Sequence, residues 1–235
     1  MGIKYKRVLL KLSGEAISGK TNGIINFDIL SEIAGIIKKC RSEGTQIAVM
    51  IGAGNIWRGR QGGKMNRARA DHMGMLATTI NSLAMQEVLE AEGVPAVTMS
   101  SVAMETFADQ YSSRKAVQAL NDGKVVILAG GSGLPFFSTD TAAVLRAAEI
   151  EADVVLMAKN IDGIYSDDPR KNSEAKRYDE ITYDEILEQD LRAYDLTATI
   201  FCKDNNLKTY AFALEDPMNI YRVITGENVG TETHN

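Results

Sequence analysis

Residues 125–142, VVILAGGSGLPFFSTDTA, decide the fold of this chain. They open with an apolar, β-branched run over 125–128, continue through three glycines, and end in a Ser-Thr-Asp-Thr cluster before a helical pattern over 142–150. This order predicts a buried strand, a loop whose backbone can approach a ligand closely, and a helix N-terminus. Because a helix N-terminus carries unpaired N–H groups and a partial positive charge, the sequence predicts that an anion such as phosphate binds here.

The same pattern recurs at three other places in the chain. The other apolar runs are 8–12, 47–51 and 154–157, and the glycine-bearing loops that follow them are Ser13-Gly14, Gly52-Ala53-Gly54 and Asp162-Gly163. Helical patterns separate the runs, and short all-apolar strands are typical of sheets covered on both sides. The sequence therefore predicts an α/β fold, a three-layer αβα sandwich around a mainly parallel sheet. Since ligands bind at the carboxyl edge of such sheets, the four loops predict a site for an extended, polyanionic pair of ligands.

The remaining segments fit one domain over residues 1–235, because no fixed-period repeat or convincing linker interrupts the chain. The other predicted helices are 27–40, 71–91, 115–120, 183–189 and 193–205; the other predicted strands are 96–99, 209–214 and 222–225; a polar tail follows from Gly226. The helix over 71–91 is rich in methionine and alanine, which predicts core packing or a subunit contact.

Composition argues against several classes of function. The net charge of −5 and the pI of about 5.2 disfavour a nucleic-acid-binding surface. No apolar run approaches the roughly 18–20 residues of a membrane span, and the N-terminus lacks the apolar core of a signal peptide. The two cysteines, Cys40 and Cys202, are far apart and predict buried thiols in a reducing cytoplasm. We therefore expect a cytoplasmic protein that binds neither nucleic acid nor membrane.

A P-loop is one alternative that the sequence leaves open. Residues 14–21 match the pattern GxxxxGK[ST] and follow a strand, which would give the phosphate-binding role to Lys20. However, a P-loop opens a helix at its Lys-Thr pair, whereas the turn signal Asn22-Gly23 follows here at once. Glu15 would also place a carboxylate inside the phosphate cradle.

Three charged residues are the candidates for chemistry. Lys11 lies between leucines at the carboxyl end of its strand, which favours contact with a transferred phosphate over a solvent-facing strand edge. Asp140 starts a helix after a glycine-rich loop; the alternative is a simple helix cap. Arg58 opens a loop that has no acidic residue before Asp71, which favours an anionic ligand or effector over a solvated loop. The cations of this loop are Arg58, Arg60, Lys64, Arg67 and Arg69.

At these residues the sequence resembles the bacterial uridylate kinases of the amino-acid-kinase family. The segments that carry the resemblance are Leu9–Ala16, Gly52–Gly59, Asp71–Thr78, Gly131–Ala143 and Asp162–Tyr165 with Asp168-Pro169, joined later by 194–198 and 226–231. The lysine and glycine loops are shared by the wider family. The Asp-His-Met-Gly-Met-Leu and Pro-Phe-Phe-Ser-Thr-Asp stretches are specific to uridylate kinases.

The resemblance implies ATP-dependent phosphorylation of UMP to UDP by in-line transfer, in pyrimidine nucleotide biosynthesis. It implies Mg²⁺ held mainly by the ATP phosphates rather than by a protein metal site. It also implies a homohexamer, activation by GTP and inhibition by UTP. The N-terminal part of the chain would bind mainly UMP and the C-terminal part mainly ATP.

The resemblance also implies a role for each matching residue. The catalytic residues would be Lys11, Asp140 and Arg58. The ATP-binding residues would be Lys11, Leu12, Ser13, Gly14, Gly54, Arg58, Lys159, Asn160, Tyr165 and Asp168. The UMP-binding residues would be Ala53, Asp71, Ser132, Gly133, Leu134, Pro135, Phe136, Phe137, Ser138 and Thr139. The chain departs from the family at Ala53 (often glycine), Ser132 (often threonine) and Lys159-Asn160 (commonly Thr-Lys).

Two other functions remain open beside this one. The chain could be an enzyme of the same fold that phosphorylates a carboxylate or carbamate, which would not use UMP. It could also be a sensor that binds UMP or UTP and produces no ADP, although the presence of both Lys11 and Asp140 argues against a sensor.

Overall fold

The computed structural model describes residues 2–19, 23–58, 62–191 and 193–235. The strands are β1 (Arg7–Leu12), β2 (Gln46–Ile51), β3 (Ala96–Ser100), β4 (Asp109–Gln110), β5 (Val125–Ala129), β6 (Val154–Lys159), β7 (Glu180–Thr182), β8 (Thr209–Ala213) and β9 (Gly230–His234). The helices are α1 (Gly14–Ser18), α2 (Phe27–Ser42), α3 (Arg67–Ala91), α4 (Ser113–Asn121), α5 (Thr139–Glu149), α6 (Tyr183–Glu188), α7 (Leu196–Asp204) and α8 (Asn219–Ile224).

All these strands form one sheet, in the order β4-β3-β5-β2-β1-β6-β8-β9-β7. Neighbouring strands are parallel except for the antiparallel pair β8 and β9. The four strands that carry the glycine loops, β5, β2, β1 and β6, are adjacent in this order. The predicted meeting of their loops at one carboxyl edge is therefore confirmed.

The sheet is covered on both faces because alternate strand residues point to opposite sides. Leu10 and Val49 belong to a core shared with α2, α3 and α8. Leu9 and Met50 belong to a second core, shared with α4, α5, α6 and α7. Each fully buried leucine or methionine contributes roughly 1.5–3 kcal/mol relative to an exposed one, which explains the apolar composition of these strands. The predicted three-layer αβα sandwich is confirmed.

The prediction of a strand over 222–225 is wrong. These residues form the last turn of α8, with Val223 and Ile224 buried against the first core, and Thr225 follows the helix. A short apolar run has the same pattern in a buried strand and a buried helix segment, so periodicity could not distinguish them.

The tail predicted to be polar contains the buried strand β9. Its polar side chains find partners inside the protein: the Thr231 hydroxyl accepts from the Ile164 N–H at 2.9 Å. Glu232 accepts from Lys4, Tyr5 and Lys208 at 2.7–2.8 Å. Burial would raise the pKa of Glu232, but the hydrogen bonds from Lys208, Lys4 and Tyr5 lower it to about 2. Paired groups of this kind can be buried at little net cost, which a hydropathy pattern does not reveal.

Helices α3 and α1 depart from the sequence prediction in ways that bear on the site. Helix α3 begins at Arg67, ahead of the predicted start at residue 71, because the Asn66 side chain caps it by accepting the Arg69 N–H at 3.2 Å. Helix α1 occupies Gly14–Ser18, where the P-loop alternative requires a phosphate-binding loop before a helix. Lys20 itself lies outside the described residues.

Cys40 and Cys202 are buried free thiols, as predicted, and burial raises the pKa of each to about 12. Within the described ranges, no helix combines the length and hydropathy needed to cross a bilayer.

Candidate active site

Lys11, Asp140 and Lys159 form a charged cluster at the carboxyl edge of the sheet. Lys11 pairs with Met157 across the parallel strands β1 and β6, so Lys159, two residues beyond Met157, lies on the same face of the sheet. The first turn of α5 lies over this face and brings the Asp140 carboxylate to 2.7 Å from the Lys11 ammonium. Lys159 donates to the Ala193 carbonyl and lies 4.6 Å from the Tyr194 ring centroid. Lys11 and Asp140, both predicted as catalytic residues, are therefore in direct contact.

Two members of this cluster, Asp140 and Lys159, have shifted pKa values. Burial would raise the pKa of Asp140, but Lys11 and Lys159 lower it below its ordinary value. Burial lowers the pKa of Lys159 to about 8, and Asp140 only partly opposes that effect. The cluster therefore holds a carboxylate beside two amines, and one of them, Lys159, loses its proton near pH 8.

The loops after β1 and β2 touch each other beside this cluster. A Cβ at Gly14 would lie 2.4 Å from Asn55 Oδ1 and 2.6 Å from both the Gly52 carbonyl oxygen and the Gly54 nitrogen. Buried Asn81 fixes the β2 loop by donating at 2.8 Å to the Gly52 carbonyl and to Asn55 Oδ1. Only glycine fits at position 14, because the β2 loop fills the space that a side chain would need.

A cavity of about 540 Å³, the first cavity, lies on the β2 and β5 side of the cluster. The predicted UMP-binding residues that line it are Ala53, Asp71, Ser132, Leu134, Phe136, Phe137, Ser138 and Thr139. Gly54 and Arg58, predicted for ATP, also line it, whereas Gly133 and Pro135 do not. Lining residues to which the sequence analysis gave no role in the site are Trp57, Gly74, Met75, Thr78, Thr141, Asp195 and Thr197.

Asp71 is held in place from two sides at the rim of the first cavity. Arg67 Nε donates to both of its carboxylate oxygens, at 3.0 and 2.9 Å, and the Phe136 N–H donates to Oδ2 at 2.9 Å. Phe136 has a φ of 73°, a strained value for an aromatic residue, and its ring is 66% exposed at the cavity. Helix periodicity could have predicted two further residues of this cavity wall. Met75 and Thr78 follow Asp71 at the spacing that places side chains on the same face of α3. The Thr78 hydroxyl accepts the Gly130 N–H at 2.9 Å.

A second cavity of about 570 Å³ lies on the β6 side of the cluster. Lys159, Tyr165 and Asp168, all predicted for ATP, line it, and Asn160 does not. The Tyr165 hydroxyl donates to Asp162 at 2.9 Å, which raises the pKa of Tyr165. Lys159 lines the second cavity, and Thr139 and Thr141, on either side of Asp140, line the first. The charged cluster therefore lies between two cavities of similar size, although Lys11 and Asp140 line neither of them.

Asp195 connects the two sides, and sequence reasoning did not assign it to the site. It caps α7 by accepting the Ala198 N–H at 2.7 Å, and it also accepts from the hydroxyls of Ser138 and Thr141 at the start of α5. Asp195 lines the first cavity and a smaller one of about 300 Å³, which shares Leu191 with the second cavity. In the sequence it has the pattern of an ordinary helix cap.

The expectation that the basic loop lacks counter-charges is wrong. Arg58 forms an ion pair with Glu15, and Arg67 pairs with Asp71 one helical turn away. The carboxylates come from α1 and α3, so a search of the loop itself could not find them. Arg60 lies outside the described residues.

No three His, Cys, Asp or Glu side chains come together as metal ligands in the ranges that the structure describes.

Comparisons with known proteins agree with this architecture. The profile of the amino acid kinase family matches residues 6–212. UMP kinase from Bacillus anthracis is 36% identical, with a TM-score of 0.94 over 98% of this chain and 96% of that one. UMP kinase from Ureaplasma parvum is 33% identical, with a TM-score of 0.94 over 99% and 100% of the two chains. Uridylate kinase from Archaeoglobus fulgidus is 25% identical, with a TM-score of 0.75 over 96% and 99%. This chain belongs to the amino acid kinase family.

Proposed function

We propose that this protein catalyses the ATP-dependent phosphorylation of UMP to UDP. The observation that carries the proposal is the position of the Lys11, Asp140 and Lys159 cluster between two nucleotide-sized cavities at one edge of the sheet. The similarity to solved UMP kinases over nearly the whole chain supports the choice of nucleotide.

The first cavity is the proposed UMP side and the second the proposed ATP side. Residues 53–141 supply most of the first cavity and residues 159–193 supply the second. The N-terminal part of a single domain over residues 1–235 would thus bind the acceptor and the C-terminal part the donor. Asp71 is oriented to accept hydrogen bonds from the ribose hydroxyls of UMP.

The reaction needs positioning and charge compensation rather than a strong base. A phosphate oxygen of UMP forms a bond to the γ-phosphorus of ATP, and the bond from that phosphorus to the β–γ bridging oxygen breaks to release ADP. The attacking oxygen is already anionic, so no side chain has to remove a proton. Lys11 compensates the charge of the transferring group, Asp140 orients Lys11, and Arg58 assists from the β2 loop. ATP enters as its magnesium complex, in which the metal neutralises phosphate charge.

The N-terminus of α5 adds uncharged donors on the acceptor side. The Ser138 side chain takes the Thr141 N–H at 3.1 Å, and the Ser138 carbonyl takes the Ala142 N–H at 3.0 Å. The N–H groups of Thr139 and Asp140 have no hydrogen-bond partner in the described part of the chain. They are available to a phosphate, which the dipole of an eleven-residue helix also favours.

The test is formation of UDP from UMP and ATP by purified protein, followed by product chromatography and coupled ADP release. A panel containing CMP, carbamate and a carboxylate acceptor separates UMP kinase from another kinase of this fold. ADP release with carbamate or a carboxylate and none with UMP would refute the proposal. Tight UMP binding without any ADP would instead indicate a sensor.

Asp71→Asn is expected to raise KM for UMP by about 10-fold or more and to leave KM for ATP unchanged, because a neutral amide replaces the ribose-binding carboxylate. Steady-state kinetics with UMP and with 2′-deoxy-UMP measure the effect. The variant should also lose most of the preference for the ribonucleotide. Asp28→Asn, on the exposed first turn of α2, is the matched control and should behave as wild type. An unchanged KM for UMP in Asp71→Asn would contradict the role.

The pH dependence of kcat/KM for ATP should report Lys159. Its pKa of about 8 means that the cation is present below that pH and is lost above it, so kcat/KM is expected to fall by about 10-fold between pH 8 and 9.5. Lys159→Arg should remove this decline, and Lys159→Met should be low throughout. If kcat/KM for ATP still declined near pH 8 in Lys159→Arg, the decline would come from a group other than Lys159.

Because the pKa of Lys159 is lowered from 10.5 on folding, the same titration makes the fold more stable, not less, as pH rises from 8 to 10.5.

We also propose a cytoplasmic homohexamer that GTP activates and UTP inhibits. Exposed apolar side chains on one face of α3 support self-association: Met73, Leu76, Ile80 and Leu83. Met75 and Met85 of the same helix are buried in the core, which is the other role that its methionine content predicted. Light scattering of the purified protein, and rates with each nucleotide added, test these points.

A further inference from the structure

Arg146 is a buried arginine that lies behind the first cavity. It is on α5 and only 7% exposed. Its Nη1 donates to Glu149 at 2.6 Å, and its guanidinium carbon lies 4.3 Å from the Tyr111 ring centroid. Tyr111 in turn donates its hydroxyl to Glu149 at 2.6 Å. Burying a guanidinium costs free energy, and the contacts with Glu149 and Tyr111 offset only part of that cost. These contacts do not explain why the protein has an arginine at this buried position.

The other terminal nitrogen of Arg146 bonds to groups beside the first cavity. Nη2 donates to the Ser101 hydroxyl at 3.0 Å and to the Ser132 carbonyl at 3.3 Å. The Ser101 hydroxyl donates in turn to the Gly131 carbonyl at 2.7 Å. Arg146 therefore holds two consecutive carbonyl groups of the 130–133 loop, one directly and one through Ser101.

The 130–133 loop packs closely against Ser101 at Gly130 and Gly133. Gly130 and Gly133 have φ values of 76° and 81°, which side chains rarely adopt. A Cβ on Gly133 would lie 3.2 Å from both the Cβ and the carbonyl oxygen of Ser101. The loop can therefore keep its position only while Ser101 keeps its own.

Holding these carbonyls also sets the direction of an amide. In a trans peptide the C=O and the following N–H point in opposite directions. The Gly131 carbonyl is directed to Ser101, so the Ser132 N–H points away from Ser101, to the side where both residues line the first cavity. In the described part of the chain this N–H has no hydrogen-bond partner.

We propose that Arg146 is a positioning residue for the acceptor nucleotide: it fixes the 130–133 loop so that the Ser132 amide meets UMP. This inference rests on the proposed function and extends it to a residue outside the cavity. Since the donor side is formed by other elements, the effect of Arg146 should be confined to the acceptor.

Arg146→Lys, which keeps the charge but cannot bond Glu149, Ser101 and Ser132 together, is expected to raise KM for UMP by about 10-fold. KM for ATP should stay within about twofold of wild type. Ser101→Ala removes only the link to the Gly131 carbonyl and should raise KM for UMP by about threefold, which provides a test if Arg146→Lys does not fold. Tyr111→Phe is the matched control: it removes the Glu149 hydrogen bond and leaves the bonds to the loop, so it is expected to lower Tm and to leave KM for UMP unchanged.

The measurements are steady-state kinetics with each substrate varied, calorimetric titration of UMP, and Tm for every variant. Equal changes in both KM values that follow Tm, including in Tyr111→Phe, would show a structural role only and overturn the inference. A normal KM for UMP in both Ser101→Ala and a folded Arg146→Lys would also overturn it. If wild type makes no UDP from UMP, the proposed function itself fails and the inference fails with it.

Discussion

Lys11→Ala is expected to lower kcat for UDP formation by about 10³-fold, equivalent to about 4 kcal/mol of barrier. The lysine contacts Asp140 at 2.7 Å in the gap between the two cavities, where negative charge spreads over the transferring group. Binding of each nucleotide should change far less, because the rest of each cavity is intact. Steady-state kinetics and calorimetric titration of both substrates separate these effects.

Two lysines give matched controls for this prediction. Lys20→Ala tests the P-loop alternative directly, since a P-loop enzyme would lose its activity in this variant and tolerate Lys11→Ala. Lys38→Ala changes a solvent-exposed lysine whose partner, Glu92, is 3.4 Å away on the surface. Near-normal turnover by folded Lys11→Ala would disprove the assigned role, and loss of turnover in Lys20→Ala would point to the other mechanism.

Gly14→Ala is expected to reduce both stability and activity. Its methyl group would fall within 2.4–2.6 Å of Asn55, Gly52 and Gly54, so the loops after β1 and β2 must move apart. Such overpacking lowers the free energy of unfolding by about 1–3 kcal/mol. Because the same loops position Lys11 and Gly54, we expect kcat/KM to fall by about 10²-fold.

Gly35→Ala is the control for this variant. Gly35 is an exposed residue in the middle of α2, and an added Cβ would meet no atom within 4 Å. Replacing a mid-helix glycine with alanine should stabilise the protein by about 0.5–1 kcal/mol without affecting turnover. Urea unfolding and kinetics of both variants measure the difference. Wild-type stability and kcat/KM in Gly14→Ala would rule out the close loop contact.

The apolar strands were predictable because they are buried on both faces. Residues 8–12, 47–51, 125–128 and 154–157 contain almost only apolar residues, and each is a strand of the sheet. Lys11 is the polar exception, and it marks the site. The strand β9 was not predictable, because Thr231, Glu232 and Thr233 are buried through hydrogen bonds to distant residues rather than through apolar packing.

Site residues on the loops were easier to predict from the sequence than the residues that support those loops from outside them. Glycines and a strand-end lysine follow directly from the local pattern, so the loops of β1, β2 and β5 were found. Arg146 and Asp195 were not, because each acts through contacts with segments far away in the chain. In the sequence, Arg146 resembles a polar residue on an amphipathic helix and Asp195 a helix cap.

The position of β9 in the sheet has a consequence for the synthesis of this protein. Strand β7 is bonded to the sheet only through β9, which pairs with β8 on its other side. As the ribosome produces the chain, β7 has no strand partner until α6, α7, β8, α8 and then β9 have been made. During that interval the second cavity lacks the bond between Ile164 and Thr231 of β9, whereas β1, β2, β3 and β5 have already been made. Slow translation of residues 183–229 should therefore prolong a half-folded state that is open to proteases and chaperones.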